Sequence, residues 1–130
     1  MLTTGYSLTA TTGLSFAEAV ERVRAELQAE GCGVLCEIDV QATLKAKLGV
    51  DGEPYLILGA CNPQLASRGL KTEPDLGVLL PCNVVVRTVG QSTHIAAMEP
   101  FAALQLADNP DLEPLAAEAR ERIQKAVNAA

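Results

Sequence analysis

The spacing of apolar residues predicts one long helix near the start of the chain. The positions that recur on one helical face are Phe16, Val20, Val23 and Leu27. Ser15 followed three residues later by Glu18 forms a capping box, which marks a helix start. Gly31 follows the last apolar turn and suits the left-handed residue that ends many helices.

Four further helices are predicted from caps and apolar stripes. The Asn62-Pro63 pair supplies an N-cap and a first-turn proline, and Glu73-Pro74 stops the helix that they begin. Short helices are expected around 41–48 and 100–106. Asn109-Pro110-Asp111 caps a last helix with the stripe Leu112, Ala116, Ala119, Ile123 and Val127.

The remaining apolar runs predict strands. Residues 34–40 alternate with period two, which puts Cys36 on the apolar face. Residues 55–60 are apolar on both faces, as expected of an interior strand covered on both sides or at a dimer interface. The other predicted strands are 3–9, before a turn at 11–13, then 77–80, 84–89 and 93–98, the last two forming a hairpin.

The order of these elements indicates the fold class. Three late strands joined by short turns favour antiparallel pairing over a doubly wound parallel sheet. We therefore predict one α+β domain over residues 1–130. It is a two-layer sandwich with a mainly antiparallel mixed sheet of five to six strands and helices packed on one face. Those helices cover one face but hardly two, so a homodimer is also predicted.

Composition excludes several classes of partner. The net charge is −6 and aromatic residues make up 3%, so phosphate binding and base stacking are both disfavoured, and no nucleic-acid partner is expected. No run of 18 apolar residues occurs, so membrane insertion is not expected. The N-terminus has no basic start or apolar core of a signal peptide, which predicts a cytoplasmic protein with four free cysteines.

Cys61 and Cys82 are the residues most suggestive of chemistry. Cys61 lies at a strand end, one residue before the helix cap Asn62, where the helix dipole can lower a thiol pKa and favour a nucleophile or metal ligand. The alternative is a small buried apolar residue. Cys82 lies between Pro81 and Asn83, where a kink can open a pocket or simply bend the strand.

If their strands are neighbours, Cys61 and Cys82 could converge to bind a soft metal or form a regulatory disulfide. His94 and Glu99 are the other ligands available for such a metal. Cys32 and Cys36 are interpreted as structural, and His94 as a surface histidine with no catalytic partners. Nucleotide-binding glycine motifs are absent, so no cofactor is predicted beyond a soft metal.

Three segments together resemble the short branch of the domain-of-unknown-function 302 family: Leu58–Pro63 (LGACNP), Leu79–Val86 (LLPCNVVV) and the strand at 33–40. The resemblance covers roughly residues 5–127. It implies a compact two-layer α+β fold, often dimeric, and no established activity. Glu99-Pro100 stands where the resemblance implies Asp-Pro, which keeps the carboxylate.

Two functions are weighed from these observations. The first is a non-catalytic homodimeric module that binds or senses a small ligand, with Cys61, Asn62, Cys82, Asn83 and Glu99 as the expected binding residues. The alternative is a thiol-based redox or soft-metal-binding protein that uses Cys61 and Cys82, with His94 as a further metal candidate. The missing catalytic constellation argues against an enzyme.

Overall fold

The protein is described as a computed structural model over residues 4–130. The strands are β1 (Ser7–Thr12), β2 (Gly33–Asp39), β3 (Tyr55–Cys61), β4 (Cys82–Val89) and β5 (Ser92–Met98). The α-helices are α1 (Phe16–Ala29), α2 (Val40–Leu48), α3 (Pro63–Thr72), α4 (Pro100–Leu104) and α5 (Glu113–Ala129). Short 3-10 helices occupy Pro74–Leu79, Gln105–Ala107 and Pro110–Leu112.

Within this described part of the chain, the strands form one sheet in the order β1-β5-β4-β3-β2. All four pairings are antiparallel, which confirms the predicted α+β class and antiparallel sheet. The sheet has the smaller of the two predicted strand numbers. The two edge strands, β1 and β2, are consecutive in sequence but furthest apart in the sheet, and α1 connects them.

Helices α1 and α5 pack on one face of the sheet, as predicted. Their apolar stripes meet the strand residues that alternate toward them, among them Leu58, Val84, Val86 and Ile95, each with no exposed surface. Residues at the intervening positions, such as Ile57 and Val85, are only half-buried. We call their side the open face of the sheet.

A second, smaller apolar cluster lies beside the main core. It joins α3, the 3-10 helix at 74–79 and the start of α5 through Leu65, Leu76, Leu112 and Leu115. Gly69 of α3 allows this contact, because a Cβ there would lie 2.7 Å from Cδ2 of Leu76. The two clusters leave a space between them that forms the candidate site.

The predicted caps are present. Ser15 and Glu18 form the capping box of α1, and Gly31 takes the left-handed conformation at φ +74°. Asn62 caps α3 with Pro63 in its first turn. The long last helix begins later than its Asn109 cap, because residues 110–112 first form a 3-10 turn.

Two predicted elements differ from the structure. Residues 77–80 are not a strand: the run from Pro74 to Leu79 is a 3-10 helix that buries Leu76. The first strand ends at Thr12, so the predicted turn at 11–13 starts too early. The predicted start of that strand at Thr3 lies outside the described residues.

Strand β2 also differs from the simple alternation. An irregularity between Val34 and Cys36 shifts its register against β3. Cys36 is exposed and lies over Gly59 on the open face, so its prediction as an apolar-face residue is wrong. Helix α2, which follows, has no buried residue. No helix within residues 4–130 combines the length and apolar character needed to cross a membrane.

Candidate functional site

The space between the two apolar clusters is a cavity of about 70 Å³, here called the cysteine cavity. It lies where β3 ends and β4 begins, and helices α3, α4 and α5 form its other walls. Its lining is formed by Cys32, Ala60, Cys61, Asn62, Leu65, Ala66, Gly69, Leu76, Leu79, Leu80, Cys82, Met98, Pro100, Ala103, Leu104, Leu115, Ala119 and Ile123. The sheet therefore brings the predicted residues Cys61, Asn62 and Cys82 to one place.

Asn62 is the single side-chain amide in this lining, and its oxygen is already engaged. Its Oδ1 accepts a hydrogen bond from the backbone N–H of Leu65 at 3.1 Å, as the cap of α3. The Cys32 thiol beside it donates to the backbone carbonyl of Glu30 at 3.6 Å. Asn62 thus closes the start of α3 and leaves the surface of the cavity apolar.

Cys61 is half-buried at the end of β3, and burial raises the pKa of its thiol. The expectation that the α3 terminus lowers this pKa is therefore wrong. The physical reason is burial, which disfavours the charged thiolate. The start of α3 is also already capped, because the N–H of Leu65 donates to Oδ1 of Asn62. Cys61 stays protonated at neutral pH.

Cys82 begins β4 directly opposite Ala60 of β3. Burial raises the pKa of its thiol to about 11, and the nearby Cys32 and Cys61 add to the rise. Pro81 precedes the strand and does not interrupt it, so the predicted kink in mid-strand is instead a strand start. Three thiols thus line the cavity, and the condition set for Cys61 and Cys82, that their strands be neighbours, is met.

Cys32 is the cavity residue that sequence reasoning missed. It is 4% exposed, and the strand that it precedes pairs with β3 so that Gly33 faces Cys61. Burial raises the pKa of the Cys32 thiol, and the guanidinium of Arg122 opposes that rise. The Gly-Cys-Gly sequence gave no signal of this contact, because it depends on the pairing of β2 with β3.

Of the metal-ligating candidates, His94 does not join Cys61 and Cys82 at the cavity. Between Thr4 and Ala130, no three His, Cys, Asp or Glu side chains are arranged to hold a metal ion. His94 pairs with Arg87 of β4, five residues beyond Cys82. At about 3.3 Å per residue, that places it about 16 Å away along the strand. His94 also lies on the open face, away from the cysteine cavity.

Asn83 and Glu99 lie outside this lining. Asn83 follows Cys82 in β4, so alternation turns it to the open face, where it lines a second concavity. Glu99 caps α4: its Oε2 accepts from the N–H of Ala102 at 2.7 Å, and its Oε1 lies 3.1 Å from Nε of Arg120. The carboxylate that the resemblance singled out therefore has a structural use.

Comparisons with known proteins identify a family. The family described as "Domain of unknown function DUF302" matches residues 6–130. A crystal structure of an uncharacterized conserved DUF302 protein from Bacillus stearothermophilus is 31% identical, with a TM-score of 0.90. The similarity covers 97% of this chain and 98% of that one. No curated protein matches. These matches name no activity.

Proposed function

The chain belongs to the DUF302 family, and we propose that it is a non-catalytic, homodimeric module that binds or senses a small apolar ligand in the cysteine cavity. The observation that carries the proposal is the cavity itself, about 70 Å³ of space with an apolar lining that joins Cys61, Asn62 and Cys82. An apolar cavity of this kind is poor at holding water and favours an apolar guest.

The dimensions of the cavity limit the ligand. It exceeds the roughly 10–15 Å³ that a single water needs, and it is smaller than the ~150 Å³ of an engineered cavity that holds benzene. The ligand is therefore a small apolar group of a few non-hydrogen atoms, or the small end of a larger molecule. The ligand would contact methyl groups and protonated thiols, and the sulfur atoms of the thiols are polarisable.

The state of the thiols supports binding and not catalysis. A cysteine nucleophile or metal ligand reacts as the thiolate, yet burial raises the pKa values of Cys32, Cys61 and Cys82. No acid–base partner lines the cavity. No observation favours the alternative thiol-based redox or soft-metal function, which stays a prediction from the sequence.

The β2–α2 segment, residues 33–50, supports the homodimer. Its edge strand carries unpaired backbone groups, and its nine-residue helix has no buried residue. Short isolated helices are marginal in water and normally gain stability by packing an apolar face. Large apolar residues along this segment are exposed: Leu35, Ile38, Leu44, Leu48 and Val50. A second copy on this surface would cover them and pair the free strand edge.

The proposed setting is the reducing cytoplasm, without nucleic-acid partners. Four free cysteines support a reducing compartment, since cysteines in exported proteins usually form disulfides. A net charge of −6 opposes binding to phosphate backbones.

The binding proposal is tested by methyl NMR under xenon pressure, because xenon is a small apolar probe for such cavities. We expect xenon to shift the methyl signals of Leu65 and Leu115, which line the cavity. Ala66→Leu, which fills the cavity, should abolish the shifts. Ala17→Leu, the same change on the exposed side of α1, should leave them intact.

Two outcomes of this experiment contradict the proposal. The first is the absence of shifts at the cavity methyl groups of the wild-type protein. The second is an equal response of the wild-type protein and Ala66→Leu, which would place xenon elsewhere. Benzene is larger than the cavity, so its affinity should be lower than its apolar surface alone would predict. Tight binding of benzene would show that the cavity is larger than proposed.

A further inference from the structure

A second concavity, of about 730 Å³, lies on the open face of the sheet. Strands β1, β3, β4 and β5 form its floor, and α4 with the following 3-10 turn forms one wall. Its volume lies within the usual range of ligand sites, roughly 300–1,000 Å³. The proposed dimer surface on the β2–α2 segment supplies none of its lining.

The chemically distinctive residues of the chain gather in this concavity. The chain has two tyrosines and one histidine, and all three line it: Tyr6, Tyr55 and His94. Arg87 lies between Tyr55 of β3 and His94 of β5, directly opposite each in the register. One cross-strand row therefore offers a phenol, a guanidinium and an imidazole to the same space.

Arg87 is distinguished by having no carboxylate of residues 4–130 within 4.0 Å. The chain has six arginines, and each of the other five lies within 4.0 Å of a carboxylate in the described part of the chain: Arg22, Arg24, Arg68, Arg120 and Arg122. Arg87 is half-buried and has no such carboxylate. A half-buried guanidinium without an anion gives up hydration without compensation, so an incoming anion is favoured there.

His94 reinforces this arrangement. Burial lowers its pKa, and the charge of Arg87 lowers the pKa further. The imidazole is therefore neutral at pH 7 and can donate one hydrogen bond beside the guanidinium. It adds a donor without adding a second full charge.

The rest of the concavity is apolar. Val85 and Ala96 form its floor in the next cross-strand row, and Met98, Ala103 and Leu106 continue toward α4. A ligand whose anionic group reaches Arg87 would therefore lay its remaining atoms on methyl and methylene groups. The concavity therefore has a polar end at Arg87 and an apolar end toward α4.

We propose that the open face binds an amphipathic organic acid, with its carboxylate on Arg87 and His94 and its hydrocarbon part on Val85, Ala96 and Leu106. A carboxylate matches the fork of an arginine with two parallel hydrogen bonds. A phosphate or polyanion is disfavoured, because the chain carries a net charge of −6 and Arg87 is the only lysine or arginine among the described lining residues. This site is separate from the cysteine cavity.

Calorimetric titration with octanoate tests this site, with octanol and inorganic phosphate as the comparison probes. We expect octanoate to bind the wild-type protein and octanol to bind at least tenfold more weakly. Arg87→Gln should weaken octanoate binding roughly ten- to hundredfold, the loss expected for a charge-assisted hydrogen bond. Arg22→Gln, which removes the same charge from an exposed position on α1, should change the affinity less than twofold.

Leu106→Glu provides a second variant, because its side chain is 77% exposed and its replacement spares the core. The new carboxylate should also weaken octanoate binding at least tenfold. Ala66→Leu, which fills the cysteine cavity, should leave octanoate binding unchanged, so the two proposals can fail independently. Equal affinity of wild type and Arg87→Gln, equal binding of octanol, or displacement of octanoate by equimolar phosphate would each overturn the proposal.

Discussion

Reactivity of the individual thiols follows from where the sheet places them. Cys36 is exposed on the open face, whereas Cys82 begins β4 inside the cysteine cavity. Burial raises the pKa of Cys82 from 9.0 to about 11. We expect a thiol-exchange reagent to modify Cys36 first and Cys82 far more slowly.

The size of the effect follows from the two pKa values. A rise from 9.0 to about 11 lowers the thiolate fraction near neutral pH about 100-fold. The more basic thiolate is intrinsically about tenfold more nucleophilic, for a Brønsted coefficient of roughly 0.4–0.5. Ionisation alone therefore slows Cys82 about tenfold relative to a thiol of ordinary pKa, and burial slows it further.

The comparison uses two variants. One retains only Cys36 and the other only Cys82, and in each the remaining cysteines are changed to alanine. Their reaction with an aromatic disulfide at pH 8 is followed by absorbance, natively and in denaturant. Denatured chains should react at similar rates, which controls for local sequence. Native Cys82 reacting within twofold of native Cys36 would refute the buried, protonated thiol.

Three further predictions concern stability and assembly. Because Cys82 ionises in the unfolded chain before it ionises in the folded protein, its contribution to the free energy of unfolding should fall by about 2 kcal/mol between pH 9 and 11. In urea titrations, Cys82→Ala should remove this part of the pH dependence, and an unchanged pH dependence in that variant would contradict the raised pKa. Gly59→Ala puts a Cβ 2.7 Å from Sγ of Cys36 and 2.8 Å from Cγ of Pro81, so it should lower the free energy of unfolding by about 1–3 kcal/mol. Adding Cys36→Ala should restore part of that stability, and full stability of Gly59→Ala alone would contradict the packing. In sedimentation at micromolar concentration, Leu48→Glu should yield monomers where the wild type yields dimers, and a wild type found only near 13.6 kDa would exclude the dimer.

Local signals in the sequence predicted the elements whose ends are fixed by local hydrogen bonds. The capping box of Ser15 and Glu18 and the Asn62 cap bond within three residues, so sequence spacing contains the information. The strand predicted at 77–80 was wrong because a short apolar run suits a strand or a helical turn equally. The 3-10 helix buries Leu76 in a cluster with residues of α3 and α5, and this contact favours the helical turn.

The sequence predicted part of the candidate site. Convergence of Cys61 and Cys82 required only that their two strands be neighbours, and β3 pairs with β4. Cys32 was missed because its position depends on β3 pairing with β2 after the chain has passed through α2, which residue spacing near Cys32 does not reveal. Arg87 drew no attention in the sequence, since its lack of a carboxylate partner is a property of the folded neighbourhood and not of spacing.

The most direct test of the central claim, an apolar ligand site at the cysteine cavity, is a crystal structure determined under xenon pressure. We expect a xenon atom in the cavity, in contact with Leu65 and the sulfur atoms of Cys61 and Cys82, and no xenon atom there in crystals of Ala66→Leu. Ordered water molecules hydrogen-bonded inside the cavity, with no xenon bound, would contradict the claim.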